Sequence, residues 1–169
     1  AAHLLGYLGA PNQRELDADP ALSPRSRVGR TGLEAQYEAD LRGTDGSRSV
    51  VTSPSGEPTV VSETPPKPGN YLVTSIDVHL QAVVERELAA ALQRARDSGL
   101  RGDGGAAVVL DVTNGQVLAM ASAPDYDPSI FSKGVDKSTY DRMSSDAGGR
   151  PLLNRVTQGD LAPASTFKV

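Results

Sequence analysis

The sequence contains no cysteine, which removes disulfide scaffolds, thiolate metal sites and cysteine nucleophiles. It has no tryptophan, and aromatic residues make up only 4% of it, too few for a platform on which nucleotide bases stack. Positive charge is short as well. The 17 Lys and Arg stand against 21 Asp and Glu, a formal net charge of −4, which is the wrong sign for a surface that must neutralise phosphates. No nucleic-acid partner is expected. No apolar run approaches the roughly 20 residues that cross a bilayer. Residues 1–10 (AAHLLGYLGA) lack the charged start and long apolar stretch of a signal peptide, and the chain begins without Met. It therefore reads as a trimmed piece, with any membrane anchor upstream. The only histidines are His3 and His79, and neither lies in a paired-His or carboxylate spacing that holds a metal. The glycines at 102–105 precede an apolar strand rather than a helix, the wrong context for a phosphate loop. Neither metal nor cofactor is expected.

What is present is 169 residues, enough for one medium domain or two small ones, with an apolar fraction of 38% and with 17 Gly and 12 Pro. Much of the chain should be loop or extended. Leu4–Leu8 is a short apolar run expected as an edge strand, and 11–28, broken by Pro11, Pro20 and Pro24, as loop. Leu33, Tyr37 and Leu41 recur at helical spacing, predicting a helix over 32–41. Ser49–Thr52 and Thr59–Val61 flank Pro54-Ser55-Gly56 as a hairpin. The three prolines of Thr64–Asn70 stiffen an extended spacer, the best domain boundary.

Beyond the spacer, Tyr71–Ser75 is expected as a strand. Asp77 then caps the strongest helix, with Leu80, Val83, Val84, Leu88, Ala91, Leu92 and Ala95 as its apolar stripe and Gly99 at its end. Ala106–Val112 and Gln116–Ser122 form a strand pair around Asn114-Gly115, a type I′ turn signal. The region 124–150 is loop-rich, with a helical turn near 136–144. This order predicts an α+β chain: an extended module over 1–68, then over 69–169 an antiparallel sheet flanked by helices.

The remaining chemical candidate is Ser165-x-x-Lys168. On a helix these side chains lie one turn apart on the same face. A neutral Lys168 amine can take the Ser165 proton as the hydroxyl attacks a carbonyl. Pro163 suits the first helical turn, and the helix start leaves backbone N–H groups free to stabilise an oxyanion. Four letters alone are weak, since roughly 0.4 such matches arise by chance in this composition. On the spacing alone, an ordinary helix start with a surface lysine stays open.

The surrounding residues are more specific. Residues 151–169 (PLLNRVTQGDLAPASTFKV) carry Asn154-Arg155, Gly159 and Ser165-Thr166-Phe167-Lys168, and resemble the active-site approach of the penicillin-binding transpeptidases. In the same order, 71–92 resembles the opening strand and helix of that catalytic domain, and 104–131 its first strand pair. GRTGLEAQYEADLRGTDG (29–46) resembles a conserved box of the class B pedestal. Ala164 stands where the family often has Gly. The family's downstream motifs, Ser-x-Asn and Lys-Thr-Gly, are not found in residues 1–169.

The resemblance implies the end of a pedestal (dimerisation-type) module followed by the start of a transpeptidase domain. The implied activity is D,D-transpeptidation of peptidoglycan, with Ser165 as acylated nucleophile and Lys168 as its proton acceptor. Stem peptides and β-lactams would be the ligands. The 169 residues alone would be inactive. Implied partners are a membrane glycan polymerase or other elongation or division proteins, at the extracytoplasmic face of a bacterial membrane. The box at 29–46 favours a class B enzyme over a class D β-lactamase or β-lactam sensor, with an elongation role preferred. A non-catalytic scaffold is the alternative. Asn154 and Arg155 are expected as scaffold.

Overall fold

The computed structural model describes residues 1–52 and 56–160. Pro54 and Ser55 of the expected hairpin turn, and the whole Ser165-x-x-Lys168 segment, lie outside the described residues.

The chain opens with one helical turn, α1 (Ala2–Leu5), where a strand was expected; only Leu8–Gly9 (β1) is extended. A short apolar run does not by itself distinguish helix from strand. Here Gly6 decides. Its φ of 89° breaks any extended run, and a Cβ on it would lie 1.8 Å from the Thr31 carbonyl oxygen. β1 pairs antiparallel with β2 (Val28–Gly29).

Between them, the expected loop contains α2 (Gln13–Ala18). The Asn12 side chain accepts from Glu15 N at 3.0 Å, and the Glu15 carboxylate accepts from Asn12 N at 2.7 Å. This reciprocal cap is a sequence signature of helix starts. The prolines at 11, 20 and 24 flank the helix rather than interrupt it.

The predicted helix over 32–41 is two turns, α3 (Gly32–Gln36) and α4 (Glu38–Leu41), split where Tyr37 takes φ −111° and ψ 23°. The offset is held by tertiary bonds. Glu38 accepts the Gly29 N–H at 2.5 Å and the Arg42 Nε–H at 2.7 Å, and Arg42 also reaches Asp19 at 2.7 Å. Arg30 binds Glu15 through both guanidinium nitrogens, at 2.8 and 2.9 Å. Arg30, Glu38 and Arg42 of the segment 29–46 thus hold the local fold together.

The hairpin forms as expected from β3 (Ser47–Thr52) and β4 (Pro58–Thr64), with a bulge at Ser49/Val50. Every residue of both strands is exposed. Its base is extended by Thr44 and Lys67, which exchange backbone bonds of 2.8 and 2.9 Å, and Asn70 N donates to Asp40 O at 2.8 Å. The proline segment is therefore fastened to the first half of the chain and is not a free spacer.

Residues 71–77 form no strand, contrary to expectation. Only their end meets the sheet, through Ser75 Oγ to Val117 O (2.8 Å) and Asp77 N to Leu118 O (2.9 Å), while Tyr71 and Val73 stay exposed. Asp77 then caps α5 (Val78–Asp97), accepting from His79 N and Leu80 N at 2.8 and 3.0 Å. Ser98 and Gly99, with φ 74°, end the helix.

β5 (Gly105–Leu110) and β6 (Val117–Ala123) pair antiparallel, and α5 covers one face of the pair, with Leu88 and Leu92 against Gly105. The turn between them is not type I′, because Asn114 lacks the positive φ that type requires. The Asp111 carboxylate instead gathers Thr113 N, Thr113 Oγ1 and Asn114 Nδ2, and only Gly115 is left-handed, at φ 77°. The loop-rich stretch that follows contains α6 (Ser129–Ser132) and α7 (Lys137–Ser144), then α8 (Arg155–Gln158). Among the described residues no helix is long and apolar enough to cross a membrane.

The buried face of α5 also departs from the apolar stripe. Val83 and Ala91 are exposed, and the most buried residue of the helix is Gln81, at 4%. Its amide bridges the free edge of β6, with Oε1 accepting from Met120 N at 2.7 Å and Nε2 donating to Met120 O at 2.8 Å. A glutamine here substitutes for a neighbouring strand. Gln81→Leu strands both backbone groups and should cost about 2 kcal/mol or more. Urea unfolding of the full-length protein checks this; an unchanged midpoint would mean the bridge contributes nothing.

Candidate active site

Ser165 and Lys168 lie outside the described residues, and what the structure supplies is the frame leading to them. That frame is the turn Gly149–Asn154 and helix α8, which begins at Arg155. The Ser122 hydroxyl, buried on β6, donates to Leu153 O at 3.2 Å and accepts from Arg155 N at 2.9 Å. Asn154, between them, caps α8 through Val156 N at 3.1 Å. The Arg155 guanidinium folds back onto Gly149 O (2.8 Å) and Arg150 O (3.2 Å), and burial and the nearby Arg150 charge both push its pKa down. It leaves no room at Gly104, where a Cβ would stand 2.3 Å from Arg155 Nε. Asn154 and Arg155 thus act as scaffold in this geometry.

The first residues of the chain clasp the same turn. The His3 ring is 7% exposed and donates through Nε2 to Pro151 O at 2.6 Å, and Asn154 Nδ2 donates to His3 O at 3.4 Å. His3 also meets Tyr126 edge-on at 5.1 Å, and Tyr7 stacks on Phe131 at 3.7 Å. Three of the seven Tyr and Phe residues, Tyr7, Tyr126 and Phe131, thereby meet where the two halves of the chain join. A cleft of about 340 Å³ beside this junction is lined by Leu4, Leu33, Met120, Tyr126, Leu152 and Thr157. On the other side of α8, a cavity of about 630 Å³ is lined by Arg101, Arg150 and Arg155 together with Asp103, Asp146 and Asp160. Opposite charges share it, so it presents no single-signed surface. Among the described residues no cluster of His and carboxylates could hold a metal.

Burial pushes the His3 pKa below its ordinary value, outweighing the Pro151 bond and the Asp125 carboxylate 3.5 Å away. The unfolded chain then binds the proton more readily than the folded one, so stability falls as pH drops below about 6.5 and is retained above it. Denaturation at pH 7.5 and 5.5 should show this loss, and His3→Gln, which cannot titrate, should reduce it. An equal loss in that variant would place the titration elsewhere.

Comparison with known proteins falls in line with this architecture. The family models "Penicillin-binding Protein dimerisation domain" and "Penicillin binding protein transpeptidase domain" match residues 1–74 and 105–169. The chain belongs to the penicillin-binding proteins, in the class B arrangement of a dimerisation module ahead of a transpeptidase domain. Among curated relatives, it is 36% identical to peptidoglycan D,D-transpeptidase MrdA of Salmonella typhimurium, over 99% of this chain and 26% of that protein. It is 33% identical to MrdA of Escherichia coli K12, over 98% and 25%, and 33% identical to stage V sporulation protein D of Bacillus subtilis, over 99% and 22%. The chain thus spans about a quarter of the length of the curated relatives it matches.

Solved structures that resemble the fold include the following two. One, described as "Structural coordination of polymerization and crosslinking by a peptidoglycan synthase complex", superposes with a TM-score of 0.70 at 36% identity, over 92% of this chain and 28% of that one. The other, a complex between penicillin-binding protein PBP2 and MreC from Helicobacter pylori, gives 0.65 at 28% identity, over 92% and 27%. The expected α+β fold agrees with these neighbours.

Sequence reading missed Ser122 and His3 as parts of the frame. Each acts on a turn about 30 or 150 residues away, and neither carries a local signal. The aromatic scarcity could have pointed to Tyr7, Tyr126 and Phe131 as a cluster, but not to what they join.

Proposed function

We propose that the full-length protein containing this chain is a serine D,D-transpeptidase that cross-links peptidoglycan. The observation carrying this reading is Ser165-x-x-Lys168 lying just after the anchored Asn154-Arg155 turn, inside the segment that matches the transpeptidase domain. Ser165 Oγ attacks the D-Ala–D-Ala carbonyl of a stem peptide. The Oγ–C bond forms, the C–N bond breaks, and Lys168 passes the serine proton to the departing D-Ala amine. An amine of a second stem peptide then attacks the ester, which releases Ser165. β-Lactams acylate the same oxygen, and no metal or cofactor enters.

The pedestal module runs over 1–68 and the transpeptidase portion over 69–169. The enzyme is anchored in a bacterial membrane and works on its extracytoplasmic face, in elongation of the wall beside a glycan polymerase. Incubating the full-length protein with penicillin and with a D-Ala–D-Ala peptide tests the reading. A one-to-one adduct and release of D-Ala are expected; neither appearing would sink it.

A scaffold role has one observation in its favour. The β3–β4 ribbon exposes Val50, Val51, Val60 and Val61, and a lone hairpin with apolar exposure is a poor independent structure. It is compatible with catalysis and does not replace it. The 169 residues alone should remain unacylated, because they lack the Ser-x-Asn and Lys-Thr-Gly motifs that supply half of the family's oxyanion hole, and loss of one such donor costs ~10²–10³ in rate. An adduct on the 169-residue chain, seen by intact mass, would overturn that expectation.

A further inference from the structure

We infer that Asn114 is a site of spontaneous deamidation and that Asp111 sets its rate. Of the four asparagines in the chain, only Asn114 is followed by glycine. The pair lies in the exposed turn between β5 and β6, where a Cβ on Gly115 would meet nothing within 4 Å. The Gly115 nitrogen therefore has neither a side chain of its own nor a packed neighbour to shield it. Asn114 Oδ1 accepts from Gln116 N at 2.8 Å, which polarises the side-chain carbonyl as an oxyanion donor does.

The chemistry needs only water. The Gly115 nitrogen, having lost its proton to solvent hydroxide, attacks Asn114 Cγ. The N–Cγ bond forms, the Cγ–Nδ2 bond breaks, and Nδ2 takes a proton from water and leaves as ammonia. Water then opens the cyclic imide. Breaking the N–Cγ bond gives aspartate, and breaking the nitrogen's bond to the Asn114 backbone carbonyl gives isoaspartate. Nothing is oxidised or reduced.

The same turn restrains this step. Gly115 N donates to Asp111 O at 2.7 Å, so the turn must open locally before that nitrogen can attack. The Asp111 carboxylate accepts from Asn114 Nδ2 at 2.9 Å, and from Thr113 N and Oγ1 at 2.9 and 2.6 Å. Its charge also opposes a second negative charge on the Gly115 nitrogen. Conversion replaces the Asn114 donor with a carboxylate facing Asp111, and isoaspartate inserts an extra carbon into the main chain. The Asp111 N to Gln116 O bond of 2.8 Å closes this turn, so the end of the β5–β6 pair loosens.

The experiment incubates the full-length protein in mildly alkaline buffer, with and without denaturing urea, and follows each asparagine by peptide mapping that separates aspartate from isoaspartate. Asn114 should convert while Asn12, Asn70 and Asn154 stay intact, with isoaspartate among the products and a slower rate in buffer than in urea. Asp111→Ala removes three bonds, each contributing a factor of about five to closure of the turn, so its rate in buffer should rise at least about fivefold. In urea it should match wild type. Asp111→Asn keeps an oxygen for Thr113 N but loses the charge, and should fall between the two. An Asn114 that stays intact in buffer overturns the inference. So do an Asp111→Asn rate no higher than wild type, and an Asp111→Ala acceleration that is equally large in urea, because the effect then belongs to local sequence and not to the turn.

Discussion

Ser165→Ala in the full-length protein is expected to yield no covalent penicillin adduct and no D-Ala release, while the folded structure and its unfolding midpoint stay near wild type. The substitution removes one oxygen, and alanine favours helix, so little stability is at risk. The chemistry has no substitute. An alanine methyl cannot form the ester, and in serine enzymes loss of the nucleophile costs on the order of 10⁶ in turnover. The neighbouring hydroxyl of Thr166 provides the internal control. Neighbouring side chains on a helix are about 100° apart, so the spacing expected from the sequence pairs Ser165, and not Thr166, with Lys168. Intact-mass measurement after incubation with excess penicillin reads the result. An adduct that persists and maps to Thr166 or another serine would show that the motif has been assigned to the wrong oxygen.

The elements legible in the sequence were those whose signals are local. The cap at Asp77, the long apolar repeat of 78–97 and the left-handed Gly99 are all contained within one helix, and that helix appears within a residue of its expected bounds. The β3–β4 hairpin and the β5–β6 pair were equally visible, because alternation and a turn lie within about 20 residues of one another. Where distant contacts decide the backbone, the reading failed. Nothing in Leu4-Leu5-Gly6 announces that the Thr31 carbonyl must pass Gly6 so closely that the run turns helical. Likewise, Glu38 must meet Gly29 before a reason exists to break the helix at Tyr37. The capping box at Asn12 and Glu15 was a different failure. Its signal was local and was overridden by too much weight on nearby prolines.

The apolar stripe of α5 illustrates a second limit. Periodicity places Val83 and Gln81 near the edges of one face, and hydrophobicity favours Val83. The structure reverses them because the free edge of β6 needs a donor and an acceptor together, which the Gln81 amide supplies on separate atoms spaced to meet the N–H and C=O of Met120. For the proposed pair the situation is inverted. Ser165 and Lys168 lie outside the described residues, and their reading rests on spacing and context alone, whereas the bonds of Ser122 on β6 and of His3 to the turn at 149–154 are observed and had no local signal in the sequence. Ordinary letters such as these become important only through the fold.

Lys168→Arg should fall nearly as far as removal of the nucleophile, although it keeps the positive charge and the side-chain length. In the proposed step a neutral amine at Lys168 accepts the Ser165 proton during attack and returns one to the leaving nitrogen. Lysine can do this because its pKa shifts readily when it is desolvated or lies near other cations. A guanidinium does not give up its proton in proteins, so arginine can hold the serine oxygen by a hydrogen bond but cannot act as its base. General-base assistance contributes roughly 10²–10⁴-fold, and the acylation constant should fall by an amount in that range with the dissociation constant little altered. The pH dependence adds a separate readout. The wild-type rate should rise with pH as the amine loses its proton, and the arginine variant should lose that limb. Near-normal acylation by Lys168→Arg, with the limb retained, would mean that Lys168 serves only as a fixed charge and that another group takes the proton.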